Sequence, residues 1–272
     1  MKRLVIYPTF LCPFSCAFCS TRDKNSLNEM LDIELMNKKV SKILELTDIS
    51  EIVISGGEPM SWKNTYFNNL IDTLKQFNKK IIVESYPYIL DNYRNDIEYN
   101  FSYDFMVRPR ALDVWENLLR IKEPYNITIT ISPMLFKLYP NAILYKLTLL
   151  NHVKEVEFIP YYKNTISQYD ITKNDSLTKF NKMILSNKLN LPFTLKNKIN
   201  LVNKMLGEYK CEADICLMPN GDIKLKTFDK GIMNFIPADD SMIKSSNNLE
   251  YPAEIDLYND EIVNWAKENA II

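Results

Sequence analysis

Residues 3–19 read R-L-V-I-Y-P-T-F-L-C-P-F-S-C-A-F-C. Leu4 to Tyr7 is a short apolar, β-branched run and predicts a strand. The loop that leaves it carries Cys12, Cys16 and Cys19, spaced C-x3-C-x2-C. Iron–sulfur clusters are held by cysteine thiolates, and thiolates this close on one loop suit one. Three ligands on a four-iron cluster leave one iron without a protein ligand. Catalytic metal sites keep such a position open. A zinc site is the other reading. It would need a fourth ligand, which only His152, Cys211, Cys216 or a carboxylate could supply.

Downstream, strand-like and helix-like segments follow in turn. Ile33 to Leu46 has helical apolar spacing. Ile52 to Ser55 reads as a second strand ending at Gly56-Gly57, and Phe67 to Phe77 as a helix. Lys80 to Glu84 and Asp104 to Val107 read as the third and fourth strands. Leu112 to Ile121 reads as a helix and Ile127 to Ser132 as the fifth strand. Ala142 to Leu150 is a helix and Val156 to Pro160 the sixth strand. The expected fold is α/β, with a parallel sheet that is open or partly closed into a barrel. Active residues then belong at the C-terminal ends of the strands, where the cysteine loop sits.

Composition narrows the function. The chain has 272 residues, 46% hydrophobic and 25% charged, with net charge -1. That charge gives no argument for nucleic acid, and no apolar run reaches the roughly 18 residues of a membrane span. Lys2-Arg3 and the following apolar residues loosely resemble a lipoprotein signal, but Pro8 breaks the run. Clustered cysteines point to metal binding in a reducing cytoplasm rather than to disulfides. With the single histidine His152, multi-histidine chemistry is excluded. The five glycines include no phosphate-binding loop.

A second motif, Gly56-Gly57-Glu58-Pro59, follows the second strand. Together, C-P-F-S-C-A-F-C and G-G-E-P resemble the two signatures of the radical S-adenosylmethionine (SAM) superfamily, in order and each after a strand. Phe18 stands where that family has an aromatic residue before the third cysteine. The resemblance covers about residues 1–165. It implies a partial (β/α)6, TIM-like barrel, and a [4Fe-4S] cluster on Cys12, Cys16 and Cys19 whose free iron chelates SAM. Gly56, Gly57, Glu58 and Pro59 would receive the SAM amino group, and the backbone around Phe18 the adenine. Ser85 ends the third strand, where this chain departs from the family's Thr-x-Gly turn. Arg108, read as the end of the fourth strand, and Ser132, at the end of the fifth, would meet the SAM carboxylate or ribose. Tyr161 and Tyr162 are candidates for the substrate mouth. One electron from the reduced cluster would cleave SAM to methionine and a 5′-deoxyadenosyl radical, which abstracts hydrogen from a substrate. An electron donor such as flavodoxin or ferredoxin is implied.

Residues 166–272 read as a C-terminal α+β appendix. Residues 173–210 hold eight lysines and predict two helices that break at Leu191-Pro192. L-M-P-N-G-D-I-K-L-K predicts a hairpin through its Asn-Gly turn, and an amphipathic helix is expected near Ile262 and Trp265. Cys211 and Cys216 beside this hairpin resemble the start of a twitch or SPASM appendix, but Lys226 stands where a later cysteine is expected. Two cysteines are too few for a second cluster held by four, so a degenerate, cluster-free cap is expected; the alternative is a cluster or metal held by the two cysteines plus non-cysteine ligands. The leading reading is a peptide-modifying enzyme. The chain starts directly at the barrel, so no leader-peptide module is expected before it and a partner would supply that recognition. Alternatives are a small-molecule or nucleotide-modifying enzyme resembling carboxy-deazaguanine synthase or viperin, a glycyl-radical activase, and a zinc-stabilised binding module.

Overall fold

Alternation along the strands separates two faces of very different chemistry. The computed structural model describes residues 2–16, 19, 29–105, 108–131, 135, 140–160, 175–205, 214–229, 232–246 and 260–269. Its first six strands are β1 (Arg3–Ile6), β2 (Glu51–Ile54), β3 (Lys80–Ser85), β4 (Glu98–Ser102), β5 (Tyr125–Ile131) and β6 (Val153–Pro160). Each pairs in parallel with the next. On one face, Leu4, Ile6, Ile52, Ile54, Val83, Phe101, Ile129 and Phe158 join one continuous apolar core. Against it pack α1 (Ile33–Leu46), α2 (Asn64–Lys75), α3 (Ala111–Arg120) and α4 (Pro140–Leu147). Burying each such aliphatic side chain contributes roughly 1.5–3 kcal/mol. Helix α1 starts where its cap dictates: Asp32 Oδ1 accepts the Leu35 amide at 2.8 Å.

The fourth strand lies upstream of its expected place. Strand β4 is Glu98–Ser102, not Asp104 to Val107. Tyr99 and Phe101 enter the core while Glu98, Asn100 and Ser102 face the other way. That period of two, rather than the apolar run after it, defines the strand. Arg108 therefore lies in the loop after β4. Asp104, just past the strand end, accepts the Thr130 amide at 2.9 Å and pairs with Arg108 at 2.5 Å.

Between β3 and β4 there is no helix, a departure from strict strand–helix alternation. Asn92, 1% exposed, organises that connection by donating to the carbonyls of Pro59 (2.8 Å) and Trp62 (2.9 Å). Buried loop backbone needs such partners.

Later residues extend the same sheet at both edges. After α5 (Asp175–Leu185), β7 (Thr194–Leu195) pairs with β6 and leads into α6 (Lys196–Met205). The hairpin of β8 (Asp214–Leu217) and β9 (Ile223–Asp229) forms around its Asn-Gly turn, as expected, and β10 (Ile232–Pro237) follows. Strand β8 pairs in parallel with β1, so the order is β10-β9-β8-β1-β2-β3-β4-β5-β6-β7. Helices α7 (Asp240–Ser245) and α8 (Asp260–Glu268) complete the described elements. Among the described residues the sheet is mostly parallel, and the strand order is linear. No helix among them is long and apolar enough to cross a membrane.

Ion pairs tie the hairpin to β1. Arg3 makes two 3.0 Å contacts with the Asp214 carboxylate, and Lys226 a third at 2.9 Å. Burial alone would raise the Asp214 pKa, but Lys226 and Arg3 hold it below the usual carboxylate range. Cys216 is fully buried beside them, and burial pushes its thiol up to about 12.

Candidate functional site

The loop carrying the cysteines is laced to the Gly-Gly turn. Ser55 donates its amide to the Ile6 carbonyl (3.0 Å), Gly57 to Thr9 (2.9 Å) and Glu58 to Leu11 (3.0 Å). The two backbones come so close that only glycine fits. A Cβ on Gly57 would lie 1.8 Å from the Leu11 carbonyl oxygen. On Gly56, whose φ is +117°, it would lie 2.6 Å from the Thr9 oxygen. The glycines thus have an intramolecular reason beside the ligand approach that the motif implies. The carbonyls of Gly56 and Gly57 accept no hydrogen bond from the described residues, and so are available to a donor.

Cys12, Cys16 and Cys19 form no disulfide among the described residues and are half-buried. The Cys19 amide donates to the Cys16 carbonyl at 3.0 Å. Burial pushes the Cys12 thiol up to about 11 and raises Cys16 as well, although Arg108 opposes the second shift. Iron binding would displace those protons. Among the described residues no three metal-binding side chains converge as a ready-made site. In such cases metal binding completes the local fold. Three soft sulfur donors on one loop fit an iron–sulfur cluster.

Phe14, between the first two cysteines, anchors the loop. Its ring meets Tyr86 edge-on at 5.5 Å and Tyr88 at 4.7 Å. Arg108 lies over Tyr86 at 4.9 Å and Arg110 over Tyr88 at 5.1 Å. The loops after β1, β3 and β4 are thereby stacked together, with a guanidinium on the cysteine side.

Glu58 is 3% exposed and points into the protein. Its Oε1 accepts from Ser85 Oγ and from the Met60 amide, and its Oε2 from the Tyr86 amide at 2.8 Å. Two of the candidate residues, Glu58 and Ser85, are thus bonded to each other. Burial pushes Glu58 up to about 7, against the hydrogen bonds from Ser85, Tyr86 and Met60. A carboxyl with a raised folded pKa stabilises the fold fully below its unfolded pKa of 4.5, and loses that contribution as pH rises through 7. Glu58→Gln is expected to flatten the fall in stability between about pH 4.5 and 7, by roughly 2–3 kcal/mol. Urea denaturation of both proteins across that range measures it, and parallel curves would contradict the shift.

The structure brings Cys12, Cys16, Cys19, Gly56, Gly57, Glu58, Pro59, Ser85 and Arg108 to the C-terminal ends of β1 to β4. Phe18, Ser132, Tyr161, Tyr162 and Cys211 lie outside the described residues. The clamps by Phe14, Tyr86, Asn92 and Asp104 were not found by sequence reasoning. Their partners lie far away in the chain, and no local pattern marks them.

Residues 2–110 match the family model of a 4Fe-4S single cluster domain. No curated protein matches the chain. Among solved structures, the fold is similar to that of anSMEcpe with bound AdoMet, with a TM-score of 0.62 and 16% identity over 82% of this chain and 74% of that one. Streptococcus suis SuiB bound to precursor peptide SuiA has a TM-score of 0.61 and 15% identity, over 96% of this chain and 65% of that one. A radical SAM methyltransferase from Sphaerobacter thermophilus has a TM-score of 0.53 and 15% identity, over 71% and 64%. At these identities the likeness is one of fold. The iron–sulfur domain match over residues 2–110, the two motifs and this shared fold make the chain similar to radical SAM enzymes.

Proposed function

We propose that this enzyme reductively cleaves SAM and uses the resulting radical to modify a peptide. The observation that carries the reading is the lacing of the three-cysteine loop onto the Gly56–Glu58 turn. It sets a soft three-sulfur donor set beside two backbone carbonyls that accept no hydrogen bond from the described residues. Cys12, Cys16 and Cys19 would hold a [4Fe-4S] cluster, and the carbonyls of Gly56 and Gly57 would accept the SAM ammonium. When bound, the reduced cluster supplies the electron that splits SAM into methionine and a 5′-deoxyadenosyl radical able to take hydrogen from a substrate.

The chain's own residues hold that geometry. Glu58 fixes the turn to the end of β3 through Ser85 and Tyr86. Arg108 sits over Tyr86, where a cation complements the thiolates or the SAM carboxylate. Ser132 and the backbone near Phe18 would complete the SAM contacts. Positioning of this kind, with exclusion of water and stray hydrogen donors, is what such chemistry asks of a protein. We read the sheet as part of a (β/α)6 barrel around the substrate, with the β8–β9 hairpin as a cluster-free cap. Cys216, buried beneath the Arg3–Asp214–Lys226 ion pairs, supports that reading of the cap. The clustered cysteines and the need for an electron donor such as flavodoxin or ferredoxin point to the cytoplasm. Peptide substrates are favoured because two similar folds were solved with peptides, anSMEcpe with Cp18Cys peptide and SuiB with SuiA.

Anaerobic reconstitution with iron and sulfide, then SAM and dithionite, tests the reading. 5′-Deoxyadenosine should form, and deuterium from perdeuterated peptide pools should enter it. Deuterium arriving from nucleosides instead would move the enzyme to a small-molecule class. A colourless protein with stoichiometric zinc and no 5′-deoxyadenosine would reject the proposal.

A further inference from the structure

Strands β3 to β6 turn a second face away from the helices, and it is polar. Across the paired strands, Glu84 stands opposite Asn100, Asn100 opposite Asn126, and Asn126 opposite Glu155. All four are half-buried. Parallel sheets ordinarily bury apolar residues on both faces, so a polar row here marks a surface meant for something polar. The row begins beside Ser55, which adjoins Gly56 and donates to Glu84 at 2.7 Å.

Most charges on this face are already matched. Below the row, Lys80 pairs with Glu98 at 3.1 Å and with Glu51 at 3.9 Å, and Lys154 reaches Glu98 at 4.0 Å. Beyond it, Glu157 takes Lys196 and Asn200, both at 3.1 Å. Within the row, Thr128 donates to Asn100 at 2.7 Å. Arg3 is bound to Asp214.

Two neighbours are left over. Asn126 Oδ1 is buried with no hydrogen-bond partner among the described residues. Glu155, directly opposite, has no ion pair or hydrogen bond among the described residues. A register shift at this point inserts Lys154 as an extra residue, and such bulges re-aim side chains. A buried acceptor without a donor costs about 1–3 kcal/mol, and the facing register position holds the half-buried carboxylate of Glu155. The combination is relieved by a ligand that brings donors and positive charge.

We infer that Asn126 and Glu155 form a substrate subsite for a cationic side chain, an ammonium or guanidinium carried by the peptide. The inference rests on the reading of the chain as a peptide-modifying radical SAM enzyme. Asn126 lies three strands from Ser55, about 14 Å at ordinary strand spacing. The subsite therefore anchors a side chain remote from the hydrogen that is taken. Remote binding energy of this kind serves to orient the reacting centre.

Capped heptapeptide pools, identical except for a central Lys, Arg, norleucine or Glu between randomised flanks, test this on the immobilised reconstituted enzyme with SAM. Lys and Arg pools should be retained on the order of tenfold over norleucine and Glu pools, as expected for a desolvated charge pair. Glu155→Gln should bring the pools to near equality, and Glu155→Lys should move retention to the Glu pool. Equal retention by the wild type, or an unchanged preference in Glu155→Lys, overturns the inference. Should either Glu155 variant fail to fold, Asn126→Asp should strengthen the Lys and Arg preference several-fold, and no change would overturn it equally. 5′-Deoxyadenosine formation in the same preparation reports separately on the underlying reading, because retention does not require SAM cleavage.

Discussion

Cys16→Ala is expected to abolish 5′-deoxyadenosine formation and to lower bound iron from about four atoms per chain to a small residue. Cys16 is the middle of the three proposed ligands, and its carbonyl also receives the Cys19 amide. Removing its sulfur leaves two thiolates, too few to hold a cluster against solvent. Iron and sulfide analysis, the brown absorbance and product chromatography read the loss in independent ways. Cys216→Ala is the contrast, since Cys216 is fully buried beside an ion-paired carboxylate. Iron content unchanged in Cys216→Ala and lost in Cys16→Ala would confine the redox centre to the first loop. Full iron content in Cys16→Ala would sink the assignment.

Gly57→Ala should be nearly as damaging, although it removes no ligand. The new methyl carbon would sit 1.8 Å from the Leu11 carbonyl oxygen, a backbone atom that cannot rotate away. That same oxygen accepts the Glu58 amide, and Gly57 itself donates to Thr9. The cysteine loop must therefore lift off the turn, breaking two hydrogen bonds worth about 0.5–1.5 kcal/mol each. Overpacking adds typically 1–3 kcal/mol. Cluster assembly should become poor, and 5′-deoxyadenosine formation should drop at least tenfold for each 1.4 kcal/mol of misplacement carried into the rate-determining barrier. The variant should still show helical circular dichroism, because the main apolar core lies on the opposite face of the sheet. Wild-type turnover in Gly57→Ala would show that the lacing does not position the loop.

Much of the fold was readable because periodic burial writes itself into local sequence. Strands β1, β2, β3, β5 and β6 and helices α1 to α4 fall close to their expected places. Strand β4 was misplaced because its pattern is aromatic and polar, E-Y-N-F-S, while a more apolar run follows it. Strand–helix alternation failed between β3 and β4, where buried asparagines hold the connection, Asn92 on Pro59 and Trp62 and Asn117 on Pro87, in place of a helix. At the site, the cysteine spacing and G-G-E-P were visible because each is contiguous in the chain. The bond from Ser85 to Glu58 and the stacking of Phe14 on Tyr86 were not, since their partners are brought together only by parallel pairing.

By itself, the sequence determined the three clustered thiols, their spacing and the strand that precedes them. Thiol chemistry and a period of two are properties of short stretches, and they need no neighbour to be recognised. Only the tertiary structure decided why both glycines are obligatory and where the Glu58 carboxylate points. It also decided that the C-terminal hairpin joins β1, and that Asn126 Oδ1 and the Glu155 carboxylate have no partners among the described residues. Each of these depends on distances between residues far apart in the chain, which packing sets and local pattern does not encode.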